Sequence, residues 1–136
     1  MPKYLFQWVY KDTSIKAMVD TSVKATVDSS YDRYAQLKMA VEGFGGELEE
    51  FFYAFGKWDG FAVVEFPDAE RCAACSLTLA GSGTNAAFKT TVLIAPDEAI
   101  RAMRRAAEAK TGYRSPETEN SLRDSGDSLD STPMGS

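Results

Sequence analysis

Glu65, Asp59 and Lys89 are the side chains of this sequence whose type and setting could support acid–base chemistry. Glu65 lies between Val64 and Phe66 and shares a strand face with Phe61 and Val63. On a buried face its pKa would rise, and it could then give or take a proton near neutrality. On an open face it would pair with Lys89 or meet water. Asp59 follows Trp58 in the turn Gly56-Lys57-Trp58-Asp59. There the indole could wall a pocket mouth while the carboxylate accepts ligand hydrogen bonds, or the carboxylate could serve only backbone N–H groups of the turn. Lys89 is a cation inside an apolar run, placed to meet an anion or a carbonyl, or else to guard a sheet edge. The candidate ligand-binding set is therefore Trp58, Asp59, Lys89 and Glu65, with Glu65, Asp59 and Lys89 the candidates for catalysis.

Other chemistries find less support. The chain contains no histidine, which removes a Ser–His or Cys–His nucleophile. Cys72 and Cys75 form a C-x-x-C, but a metal would need further ligands, and no third cysteine exists. Their neighbours Ala69, Ala73, Ser76 and Leu79 point instead to small core residues on a helix face. Gly43, Gly45 and Gly46 make a short glycine cluster. A phosphate cradle needs a strand before it and a helix after it, and here the order is reversed. Glu47, Glu49 and Glu50 read as a solvated strand edge. No metal and no cofactor is expected.

These residues must be held by the elements around them. Leu48–Phe55 and Gly60–Phe66 are rich in Phe, Tyr and Val and flank a short turn, a hairpin signal. Lys3–Tyr10 alternates Tyr4, Phe6, Trp8 and Tyr10 against Leu5, Gln7 and Val9, a first strand. A helix is expected over Asp28–Glu42, capped by Ser29 or Ser30. A second follows over Asp68–Ala80, then a strand over Asn85–Ile94, then a helix from Pro96 to about Lys110 whose acids precede its bases. Residues 15–30 hold a tandem octamer, IKAMVDTS then VKATVDSS, read as a duplication tolerated in a surface segment. The order is β-α-β-β-α-β with an added C-terminal helix: α+β, the ferredoxin-like plan.

In the hairpin Phe51, Tyr53 and Phe55 alternate on one face while Leu48, Phe52 and Ala54 occupy the other. Strands apolar on both faces must be covered on both, and two helices reach only one. A second copy packed through the sheet face, giving a two-fold homodimer of the dimeric α+β-barrel type or a higher oligomer, would cover the remainder.

The 136 residues carry a net charge of −5 and make one domain, expected over 1–110. Residues 111–136 hold Arg114 and Arg123 against five acids, and few large apolar residues; an acidic, Ser/Asp-rich disordered tail is expected there. A nearly neutral body with an acidic tail offers no footprint for nucleic acid or an anionic membrane. The opening MPKYLFQWVYK is too short and polar for a signal or membrane span, so with two cysteines a cytoplasmic location is expected.

Over Pro2–Glu98 the sequence resembles the GYD-domain family of small bacterial proteins. The resemblance rests on the PKYLFQ strand, AVEGFGGELEEFFYAFG, the turn GKWDG, EFPD and KTTVLIAPDEA. The family's Gly, Tyr, Asp motif would fall on Gly56, Trp58 and Asp59, with Trp58 replacing the tyrosine. The resemblance implies a ferredoxin-like dimeric α+β barrel and no established activity. From its aromatic surplus and few convergent ionisable groups, the chain is expected to bind a small, mostly apolar molecule between sheet and helices. The alternatives are a cofactor-independent oxygenase- or isomerase-like enzyme and a structural assembly subunit.

Overall fold

A computed structural model describes residues 1–23 and 32–116. The elements run β1 (Lys3–Tyr10), α1 (Asp12–Val23), α2 (Arg33–Gly43), β2 (Glu47–Tyr53), β3 (Gly60–Glu65), α3 (Ala69–Ala80), β4 (Asn85–Leu93) and α4 (Pro96–Glu108). The four strands form one antiparallel sheet in the order β2-β3-β1-β4. This is the ferredoxin-like α+β fold. The chain divides into two compact units, Met1–Pro96 and a second starting at Asp97.

Strict alternation along β1 decides which side of the sheet becomes the core. Tyr4, Phe6, Trp8 and Tyr10 are all buried, whereas Leu5, Gln7 and Val9 on the other face are only half-buried. Beside them β3 buries Ala62 and Val64, and Phe66 follows at its end. Leu37 and Val41 of α2 and Cys72 and Cys75 of α3 close over this inner face. Aromatic rings lock edge to face within it, Phe6 against Phe88 at 5.1 Å among them.

The helices over this face begin at aspartate caps. Asp68 accepts the Arg71 N–H at 2.8 Å, and Asp32 accepts the Ala35 N–H at 3.1 Å. The second cap departs from expectation. The helix starts after Asp32, and the expected Asp28 start with its Ser29 or Ser30 cap lies outside the described residues. After α2 the chain turns tightly into β2 across Gly46. A Cβ there would meet the Glu65 carbonyl oxygen at 2.5 Å and the Phe66 ring at 2.7 Å, so only glycine fits.

Two further expectations change. The first octamer copy is helical, in α1: Ile15, Met18 and Val19 recur at helical spacing, and Met18 packs on the core. From residue 24 onward the second copy lies outside the described residues, as does the expected tail from residue 117. The hairpin is also less two-sided than its sequence suggests. A register shift between Leu48 and Glu50 inserts a bulge into β2 and turns both Leu48 and Phe51 toward the core. Phe52 then pairs with Phe61 on the open face, ring centroids 5.3 Å apart. That leaves Leu5, Val9, Phe52, Phe61 and Val63 as the open face's apolar stripe, interspersed with Gln7, Lys89, Glu65 and Lys3.

In the second unit, α4 sets Ile100, Met103 and Ala107 on one side and Arg101, Arg104, Arg105 and Glu108 on the other, with no buried residue. Asp97 supports its first turn through Arg101 at 3.3 Å.

Candidate functional site

Under α2, at the Trp8–Tyr10 end of β1, the inner face holds a cavity of about 290 Å³. Trp8, Phe51 and Phe88 give it aromatic walls, Leu37, Ala40 and Leu79 aliphatic ones, and Tyr10, Arg33, Gln36, Ser82, Thr84 and Asn85 a polar end. Each wall follows from the fold. Trp8 and Phe88 are register partners on neighbouring strands, stacked at 6.5 Å and 14°. Phe51 reaches the cavity because the bulge turns it inward, and its ring lies 5.4 Å from that of Trp8. Arg33, Gln36, Leu37 and Ala40 recur at helical spacing on the side of α2 that faces the sheet.

Trp8 is 4% exposed, and its indole packs flat over Gly60. A Cβ at Gly60 would stand 2.6 Å from Trp8 Cζ2, so that glycine is what lets the ring lie there. The indole Nε1 is buried without a formed hydrogen bond, as is Asn85 Oδ1. Asn85 Nδ2 donates to the Leu79 carbonyl at 3.4 Å. Burial pushes the Tyr10 hydroxyl up to about 12, against smaller opposing pulls from the Trp8 N–H and Arg33, so it stays protonated at neutral pH.

An aromatic row continues from the cavity wall to the surface. Tyr34 and Tyr53 meet Phe51 edge-on at 5.5 and 5.0 Å, and Phe55 stacks on Tyr53 at 5.5 Å. Phe55 is 70% exposed and has φ 53°, a left-handed conformation uncommon for so bulky a residue.

The residues expected from sequence are dispersed. Asp59 is built into the fold: its Oδ2 accepts the Tyr10 N–H at 2.8 Å and its own N–H donates to the Trp8 carbonyl at 2.9 Å. Its carbonyl takes the Ala54 N–H at 2.8 Å, which closes the hairpin turn. Trp58 sits half-buried in that turn and is not among the cavity walls. Glu65 and Lys89 lie on the open face. Glu65 stands opposite Lys3 and Lys89 opposite Gln7. Four residues along β1 separate those two positions, a spacing of roughly 13 Å at the usual rise of a strand.

The Glu65 pKa is lowered, not raised as a buried face would have raised it. Lys3 lies 2.6 Å from Glu49 and 3.0 Å from Glu65, and this shared ammonium holds the Glu65 carboxyl below its ordinary range. Its partner is thus Lys3, not Lys89. Lys89 is exposed on β4, an edge strand. The two cysteines are buried free thiols, and burial raises both, Cys75 to about 12. Among the described residues, no group of three His, Cys, Asp or Glu could hold a metal ion, and no helix is long and apolar enough to cross a membrane.

Sequence reasoning passes over the cavity's own polar atoms. In sequence Trp8 is one aromatic of an alternating strand, and Asn85 only marks where a strand begins. The available signal is Gly60 opposite Trp8, a missing side chain facing the largest one.

The chain belongs to the GYD-domain family: the GYD domain profile matches residues 4–103. No curated protein matches it. Among solved structures it is similar to the crystal structure of MtbAldR, at 10% identity and a TM-score of 0.43. That match covers 84% of this chain, which spans 58% of the other's length.

Proposed function

We propose that this GYD-domain protein is a homodimeric binding protein that holds a small, mostly apolar aromatic molecule between the sheet and α2. One observation carries the reading: a concave, aromatic-walled space of about 290 Å³ with a few polar groups at one end. Such a space is near the small end of ligand pockets. The enzyme alternative needs Glu65, Asp59 and Lys89 to meet, and they face separate regions of the fold. The two buried, free thiols fit a reducing cytoplasm.

A second copy is the proposed cover for the open face, through the stripe of Leu5, Val9, Phe52, Phe61 and Val63. A standard interface buries about 800 Å² per partner, which at roughly 25 cal/mol per Å² of apolar area is a substantial gross driving force. Light scattering should give twice the chain mass at micromolar concentration, and Phe61→Asp should halve it. A folded wild-type monomer would remove the dimer from the reading.

Ligand binding is tested by thermal shift against small aromatic compounds. A ligand at ten times its Kd stabilises by about 1.4 kcal/mol, a rise of several degrees in a domain of this size. No stabilisation by any compound at millimolar concentration would contradict the proposal.

A further inference from the structure

Among the described residues that wall the cavity, one carries a charge. Arg33 is half-buried in the first turn of α2, on the side of the helix that faces the sheet. Its positive charge acts on the Tyr10 hydroxyl, which places the guanidinium at the same end of the cavity. That hydroxyl keeps its proton at neutral pH, so it too can donate. Ser82 and Thr84 bring two further hydroxyls to the wall. The carboxylates nearby are engaged with backbone. Asp32 caps α2 at the Ala35 N–H, 3.1 Å away, and Asp59 takes the Tyr10 N–H at 2.8 Å. Neither lines the cavity.

A guest in this space therefore meets apolar wall over most of its surface and a cation with several donors at one tip. A guanidinium presents five N–H donors in a fixed fork, so it can hold a carboxylate and still keep contacts within the protein. Half-buried beside apolar walls, its charge also gains more from an anion than an exposed one would, because less water screens it. A neutral amide or hydroxyl would use the same donors without that attraction, and an ammonium would be repelled. We propose, resting on the binding reading above, that the cavity takes a small aromatic monocarboxylate. The carboxylate lies at Arg33, and the ring lies among Phe51, Phe88 and Leu37.

The test is a titration of the full chain with benzoate, benzamide and toluene, followed in ¹H–¹⁵N spectra. The three share a ring and differ in charge and polarity. Benzoate should bind at least about tenfold more tightly than benzamide, the worth of one charge-assisted hydrogen bond. The backbone amide signals of Tyr10, Arg33 and Phe88 should move, while those of Lys3 and Arg71 stay in place. Arg33→Met should bring benzoate down to the level of benzamide and leave toluene binding intact. Should that variant not fold, the wild-type affinities and the position of the shifted amides decide the matter. Benzamide or toluene binding as tightly as benzoate would overturn the carboxylate assignment and leave the binding reading standing. A benzoate preference that survives in Arg33→Met, or shifts gathered around Lys3 or Arg71 instead, would also overturn it. No binding of any of the three at millimolar concentration would overturn both.

Discussion

At its first residue β1 sets Lys3 between Glu49 and Glu65 on the open face of the sheet; near its last it sets Trp8 and Tyr10 beneath α2 on the covered face. The open-face cluster has the charges, and its single ammonium is shared by two carboxylates within 3.0 Å. The covered-face cavity has one charged wall residue, Arg33, among aromatic, aliphatic and neutral polar ones. Charge that finds its partner within the sheet has little left to offer a ligand. The covered face instead offers open space walled by Trp8, Phe51 and Phe88.

This contrast makes four variants informative, and the greatest loss should follow at the covered end. Trp8→Ala removes a buried ring that touches Tyr10, Phe51 and Phe88, and should cost about 3–5 kcal/mol in urea denaturation. Gly60→Ala forces the indole off its seat; a loss of about 1–3 kcal/mol is expected, together with loss of any ligand-induced thermal shift. An unchanged Tm in that variant would mean that the ring's position is not set by Gly60. Asp59→Ala strips the carboxylate from the Tyr10 N–H and should cost about 1–3 kcal/mol, read by the same denaturation.

The open end should respond least, and through pH. The Lys3 ammonium lowers the Glu65 pKa, so its stabilisation is fully present above the ordinary glutamate range of about 4.3 and fades as pH falls through the lower folded value. Lys3→Met should therefore melt slightly below wild type at neutral pH, and the gap should close in acid. A gap that widened in acid would show that Lys3 is not what holds Glu65 ionised.

Much of this architecture is legible because the signals are local. The alternation of β1 gives its limits, and Asp68 and Gly81 bracket α3 as cap and stop. What fails depends on contacts between strands. The β2 bulge is invisible in a single strand, and without it Phe51 and Leu48 read as facing opposite sides. The cavity goes unseen for a related reason. Ionisable residues stand out in a sequence, whereas the cavity walls Trp8, Phe51 and Phe88 meet only once the strands are paired. α1 is missed because a repeat draws attention away from the spacing of Ile15, Met18 and Val19.

The central claim is that the covered cavity, and not the open charged cluster, is the binding site. Its most direct test is titration calorimetry with whichever small aromatic compound gives the largest thermal shift, on wild type, Ala40→Leu and Glu65→Gln. Leucine at position 40 fills the cavity from α2, and should weaken binding by more than about tenfold, while Glu65→Gln should leave Kd within about twofold. Undiminished binding to Ala40→Leu, with loss in Glu65→Gln, would contradict the account.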